Sequence, residues 1–69
     1  MSELSVVVNG EVRQLEPGAT VADVVAQVAA SPKGLAVAVN ADVVPRSIWS
    51  STPLAEGDRI ELLTAAQGG

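Results

Sequence analysis

The 69-residue chain contains no cysteine and no histidine, and Trp49 is its only aromatic residue. The absence of cysteine excludes a disulfide framework, a thiolate metal site and a cysteine nucleophile. The absence of histidine removes the side chain best suited to proton transfer near neutral pH. The composition therefore disfavours an autonomous enzyme, and we predict a protein that holds no metal and no cofactor of its own.

Positive charge is also scarce. Four basic residues stand against eight acidic ones, which gives a net charge of -4, and the basic residues are scattered along the sequence. Nucleic-acid binding needs clustered positive charge to displace counterions, so we expect no nucleic-acid partner. The acidic surface suits a basic partner protein or serves solubility alone.

Long apolar runs are missing as well. No stretch approaches the ~18 apolar residues that span a bilayer, and the N-terminus shows no basic segment followed by an apolar one. We expect no membrane association and a cytoplasmic location. The length suits one domain, which we place at residues 1–64, followed by a flexible tail at residues 65–69.

The N-terminal region predicts a β-hairpin. Residues 4–8 are mostly β-branched or apolar, and the Asn-Gly pair that follows tolerates the positive φ values of a type I′ turn. Residues 11–15 should return antiparallel, with Val7 opposite Val12. This register puts one set of side chains on the core face, at positions 4, 6, 8 and 15.

A helix is predicted next. Pro17-Gly18 ends the strand, and Thr20 with Asp23 three residues later resembles a capping box. Four valines then fall at i, i+3, i+4 and i+7, which is the spacing of one apolar stripe: Val21, Val24, Val25 and Val28. Residues 31–34 should end the helix.

The second half predicts three further strands. Residues 35–40 alternate larger and smaller apolar residues, and Asn40-Ala41-Asp42 supplies a turn. Residues 43–44 should form a short strand at a sheet edge, because Pro45 lacks an N–H. Residues 47–49 suit one helical turn whose Trp49 closes an end of the core rather than binding a ligand. Residues 54–58 read as a turn before the last strand, at 59–64.

The last strand carries a hypothesis about partner binding. Glu61 should avoid the core, so Ile60 and Leu62 point inward and Leu63 points outward. One interpretation is that Leu63 is an ordinary isolated surface leucine. The alternative is that Leu63, Val7 and Ala38 form a docking patch for a partner protein.

The sequence ends in Gly68-Gly69, which is the strongest chemical signal in the chain. Glycine has no Cβ, so such a segment can run extended through a channel too narrow for side chains. Its reactive group is the α-carboxylate of Gly69, which must be activated, usually as an acyl-adenylate made by a separate ATP-consuming enzyme. A frayed terminus or a cloning scar is the inert alternative.

The order of elements resembles the ubiquitin-like β-grasp fold, an α+β fold with a mixed sheet of about five strands packed on one helix. Two runs are similar to the ThiS family, the sulfur carriers of thiamine biosynthesis: VNADVVPRSIW at 39–49 and EGDRIE at 56–61, with the Gly-Gly end. The discriminating part is Val-Val-Pro-Arg with a tryptophan three residues on. Carriers for molybdopterin usually have Pro-Pro before the tail, where this chain has Ala65-Ala66.

This resemblance implies a carrier rather than an enzyme. An E1-like enzyme of the ThiF type would use ATP to adenylate Gly69, sulfur would replace the adenylate to give a thiocarboxylate, and a thiazole synthase of the ThiG type would accept the sulfur. Gly68 would allow the tail to thread into these partners.

Three alternatives stay open. The chain could carry sulfur for another pathway, such as molybdopterin or cysteine synthesis, or it could be a ubiquitin-like modifier that forms isopeptide bonds. It could also be an interaction domain with an inert tail, for which no ATP-dependent change is expected.

Overall fold

The computed structural model describes residues 3–29 and 33–64. Along the chain a hairpin is followed by a helix, a second hairpin, a 3-10 helix and a last strand. Their bounds are β1 Leu4–Val8, β2 Glu11–Leu15, α1 Val21–Val28, β3 Leu35–Val39, β4 Asp42–Val44, the 3-10 helix Arg46–Ser51 and β5 Arg59–Thr64.

The strands form one sheet in the order β2-β1-β5-β3-β4. β1 runs parallel to β5, whereas the pairs β1–β2, β3–β4 and β3–β5 are antiparallel. α1 packs on one face, which we call the inner face, and the opposite face is the outer face. The predicted mixed five-stranded sheet on one helix, a ubiquitin-like β-grasp fold, is confirmed.

The first hairpin has the predicted register. Leu4 lies opposite Leu15 and Val7 opposite Val12. The turn residues Asn9 and Gly10 have φ angles of 50° and 85°, as a type I′ turn requires. The side chains predicted for the core face are buried or, for Leu4, half-buried against the core.

The predicted capping box of α1 is present. The Asp23 N–H donates to Thr20 Oγ1 at 3.4 Å, and the Thr20 N–H donates to Asp23 Oδ2 at 2.8 Å. Three valines of the predicted stripe are buried and Val28 is half-buried. α1 ends at Val28, and residues 31–32 of the predicted helix stop (31–34) lie outside the described residues.

The second hairpin differs from prediction by single residues. β3 ends at Val39, because Asn40 belongs to the turn, and β4 begins one residue earlier than predicted, at Asp42. β4 lies at the sheet edge, as Pro45 indicated. The 3-10 helix is longer than one turn. Trp49 is 5% exposed, and its Nε1–H donates to the Val44 carbonyl at 2.8 Å, so its predicted place in the core is confirmed.

The segment before β5 corrects one expectation. The sequence predicts that Leu54 belongs to a turn, but its side chain is only 7% exposed and lies in the core. Residues 52–54 run beside the start of α1, where the Val21 N–H donates to the Thr52 carbonyl and the Leu54 N–H to the Ala19 carbonyl. The turn itself occupies residues 55–58. The core therefore lies between two layers, the sheet and α1, and this segment closes it. The buried core residues are Val6, Val8, Leu15, Ala19, Val21, Val24, Val25, Val37, Val44, Trp49, Leu54, Ile60 and Leu62.

The turn of the second hairpin contains a strained residue. Ala41 has a φ of 73°, which costs an L-residue about 1–2 kcal/mol, whereas glycine adopts it freely. Ala41→Gly should therefore raise the free energy of unfolding by about 0.5–1 kcal/mol, after the extra entropy that glycine loses on folding. Denaturant titration measures this change. Ala36→Gly, at an ordinary position in β3, is the control and should lower stability; a loss in both variants would contradict the strain at Ala41.

Among the helices of residues 3–29 and 33–64, none has the length and apolar character needed to cross a membrane.

Candidate functional site

β5 is the middle strand of the sheet and ends at Thr64, directly before the tail (residues 65–69). Its side chains alternate as predicted, with Ile60 and Leu62 buried and Glu61 and Leu63 exposed. Neighbours on both sides and the core beneath hold this strand. A segment attached to β5 is therefore attached to the middle strand of the sheet.

The start of β5 is fixed by the Glu56-Gly57-Asp58 run. Gly57 has a φ of 84° in the turn, which favours glycine. Asp58 Oδ2 accepts from the Ala55 N–H at 2.8 Å, and Glu56 Oε1 accepts from the Ser5 N–H at 2.9 Å. The Gly57 N–H also donates to the Ser5 carbonyl at 2.7 Å. These contacts explain the run structurally: it joins β5 to the start of β1.

The proposed docking residues Val7, Ala38 and Leu63 all lie on the outer face. Leu63 is 65% exposed, whereas Val7 and Ala38 are half-buried. Ala38 lies opposite Glu61, and Val7 lies opposite Arg59. The exposed Arg59 and Glu61 of β5 therefore separate Val7 from Ala38 and place one charge of each sign inside the predicted patch.

Leu63 has different neighbours from those that the sequence suggested. Its register partner is Ala36 rather than Ala38. Leu63 and Val7 line one shallow depression on the outer face, whose other lining residues are Asn9, Gly10, Arg59, Ile60 and Glu61. Ala38 does not line it. Sequence reasoning missed Ala36, although Ala36 has the same parity as Ala38 and so the same face of β3.

The tail residues Gly68 and Gly69 lie outside the described residues. Their predicted chemistry thus stays a prediction, as does the boundary between the domain and the tail. Within the described ranges, no group of three or more acidic side chains could hold a metal ion.

Comparison with known proteins supplies a family. The model of the ThiS family matches residues 6–69. The sulfur carrier protein ThiS of Escherichia coli (strain K12) is 30% identical over 66 residues, which cover 96% of this chain and 100% of the relative.

Two solved structures share the fold. The crystal structure of the thiamine biosynthesis protein ThiS from Geobacter metallireducens superimposes with a TM-score of 0.82 at 23% identity, covering 96% of this chain and 100% of that one. A solution structure of a thiamine biosynthesis protein from the same organism gives a TM-score of 0.75 at 22% identity, covering 96% and 88%. With a family match that spans nearly the whole sequence and a fold shared over its length, the chain belongs to the ThiS family.

Proposed function

We propose that this protein carries sulfur for thiazole formation in thiamine biosynthesis, and that the carboxylate of Gly69 is the group that carries it. The observation that supports this most strongly is the extent of the family match, which runs from residue 6 through the Gly-Gly end. The Escherichia coli relative is named a sulfur carrier protein. In this proposal the chain is a substrate of other enzymes and not itself a catalyst.

The chemistry takes place in two steps at one carboxyl group. A carboxylate oxygen of Gly69 first attacks the α-phosphorus of ATP, so that an acyl-adenylate forms and pyrophosphate leaves. Hydrosulfide then attacks the carbonyl carbon, the bond to AMP breaks, and a thiocarboxylate is left after loss of a proton. Adenylation converts a poor leaving group into a good one, and the chain has no cysteine that could capture the activated carbonyl.

The fold suits a carrier because it separates a fixed body from a reactive end. β5 is paired with β1 at its start and with β3 as far as Thr64, so the body holds the strand that leads into the tail. Residues 65–69 include no large apolar side chain, so holding them against their own domain would cost roughly 1–2 kcal/mol of backbone entropy per residue with little return. Inside a partner's channel, backbone hydrogen bonds offset that cost, and Gly68 leaves room for the chain to thread.

Two partners follow from the proposed chemistry. One is an E1-like adenylating enzyme of the ThiF type, which binds and uses the ATP, and the other is a thiazole synthase of the ThiG type, which accepts the sulfur. We propose that the docking patch of Val7, Ala38 and Leu63 contacts the adenylating enzyme. The exposed leucine near the tail would give this contact an apolar anchor, and Arg59 and Glu61, which lie between Val7 and Ala38, would place one charge of each sign within it.

The test is an intact-mass measurement. Incubation of the protein with the adenylating enzyme, ATP and sulfide should raise its mass by the difference between one sulfur and one oxygen atom. Omission of ATP is the control. Addition of thiazole synthase and its other substrates should return the original mass as thiazole forms.

The open alternatives give different results in the same reactions. A ubiquitin-like modifier would accumulate as conjugates on lysines of other proteins, seen as species of higher mass. A carrier for another pathway would form the thiocarboxylate but would not pass the sulfur to thiazole synthase. An inert tail would show no ATP-dependent change, and that result would refute the proposed function.

Leu63→Glu tests the docking patch. Leu63 is 65% exposed, so its replacement should change the free energy of unfolding little, whereas a charge in place of the exposed leucine of the patch should weaken binding to the adenylating enzyme by tenfold or more, a loss of about 1.4 kcal/mol. Isothermal titration measures the dissociation constant.

Ile48→Glu is the matched control for this change. Ile48 is also exposed, at 44%, but it lies in the 3-10 helix and not in the sheet. It should bind like the unmodified protein. Equal affinity of both variants and wild type would return Leu63 to an ordinary surface position.

A further inference from the structure

The side chain of Asn9 extends the sheet beyond the end of β1. The main-chain N–H of Asn9 donates to the Ile60 carbonyl at 2.9 Å, and at this point β1 turns away. The carboxamide then continues the ladder: the Leu62 N–H donates to Asn9 Oδ1 at 2.9 Å, and Asn9 Nδ2 donates to the Leu62 carbonyl at 3.3 Å. One amide side chain thus supplies the acceptor and the donor that β1 would supply if it continued beside β5.

Asn40 does the same on the other side of β5, but at the start of the strand. Its main-chain N–H donates to the Arg59 carbonyl at 2.7 Å, and its Oδ1 accepts from the Arg59 N–H at 3.0 Å. Its Nδ2 donates to Asp58 Oδ1 at 2.9 Å. Asn9 and Asn40 hold nearly the same backbone conformation, with φ of 50° and 51°. They differ in which end of β5 they hold.

Among the described residues, the Asn9 contact is the last one on its side of β5. Ile60 and Leu62 direct their main-chain groups towards β1, and the alternation of a strand directs those of Thr64 the same way. On the opposite side β3 accompanies β5 to its end, with Leu35 opposite Thr64. In the part of the chain that the structure describes, Leu62 is therefore the last residue of β5 held from both sides.

We propose that Asn9 is a positioning residue for the activation of the tail. By holding Leu62, it sets the last point at which β5 is held from both sides before the tail. The proposal rests on the proposed function, because positioning matters when the terminal carboxylate must reach a partner's adenylation site. Without the carboxamide, β5 is held only by β3 from Leu62 onward, so the direction of its end is less fixed and the carboxylate samples a larger volume around the docked domain.

Asn9→Gly and Asn40→Gly form a matched pair for the test. Glycine adopts positive φ freely, so both turns persist and each variant loses only its carboxamide. We would measure thermal unfolding, exchange of the Leu62 amide by NMR, and the single-turnover rate of adenylate formation at saturating adenylating enzyme. Asn9→Asp, which keeps the acceptor for the Leu62 N–H but lacks the Nδ2 donor, is a third variant.

Asn9→Gly should accelerate exchange of the Leu62 amide about tenfold, the factor that corresponds to roughly 1.4 kcal/mol, and should slow adenylation several-fold. Asn40→Gly should lose similar thermal stability but leave both the Leu62 amide and the adenylation rate near wild type. Asn9→Asp should lie between wild type and Asn9→Gly.

Two results would overturn the inference: unchanged Leu62 exchange in Asn9→Gly, or equal slowing of adenylation by the two glycine variants, which would reduce Asn9 to a stabilising turn residue. A wild-type protein that is never adenylated would refute the proposed function instead, and the exchange measurement would still decide whether Asn9 holds Leu62.

Discussion

A chain that lacks Gly69 should acquire no sulfur from the adenylating enzyme, ATP and sulfide. Removal of one residue from an extended segment draws the carboxylate back by about 3.3–3.6 Å relative to the docked domain. A displacement of ~1 Å can already slow an enzymatic step 100-fold, so the truncated carboxylate should lie out of reach of the ATP phosphorus. The expected loss in intact-mass analysis is therefore complete within the time that converts the full-length chain.

Substitutions in the tail distinguish the effect of tail length from the effect of side-chain size. Gly68→Val keeps the length but adds a branched side chain, so it should fold normally and react slowly if the partner's channel admits only glycine. Ala66→Gly keeps the length and adds no atoms, and it should react like wild type. If the truncated chain gains sulfur as fast as the full-length one, or if the mass change maps to a peptide other than the C-terminal one, Gly69 is not the carrier residue.

Val24→Asp should prevent folding. Val24 is 1% exposed on the stripe of α1 that packs on the sheet, so the substitution buries a carboxylate among apolar side chains. The cost is several kcal/mol, compared with a total stability of about 5 kcal/mol that is typical of small domains. Circular dichroism should show no cooperative thermal transition.

Ala26→Asp is the control for the core substitution. It introduces the same residue two positions further along α1, where the side chain is exposed. It should unfold cooperatively, with only the small loss expected from the lower helix propensity of aspartate. A Val24→Asp variant that melts like Ala26→Asp would contradict the conclusion that this face of α1 packs on the sheet.

The parts of the fold that could be predicted from sequence are those specified by neighbouring residues. The Asn-Gly turn fixes the register of Leu4 with Leu15, because a two-residue loop leaves one pairing. The capping box and the valine spacing also involve residues close in sequence, and they define α1. The burial of Trp49 could also be predicted, because the only large aromatic side chain in a small domain is best removed from water.

The parts that were missed depend on contacts between distant residues. Leu54 lies between a proline and a turn and resembles a loop residue, and only its pairing with Ala19 places it in the core. The register between β3 and β5, which sets Leu63 opposite Ala36, is fixed by packing in three dimensions. The Asn9–Leu62 contact joins residues 53 positions apart. Nothing in the sequence indicated it, because the turn alone is enough to explain an asparagine at position 9.

The parallel pairing of β1 with β5 gives the molecule two opposite poles. Val7 lies beside Arg59, Leu4 precedes Val7 by three residues, and Thr64 follows Arg59 by five. The start of β1 and the end of β5 are therefore about eight strand residues apart, roughly 26 Å. A fluorophore, affinity label or surface tether attached ahead of Leu4 would emerge at the pole away from Thr64. Immobilisation through that pole should leave the reactive end accessible, whereas any fusion after Gly69 would convert its carboxylate into an amide.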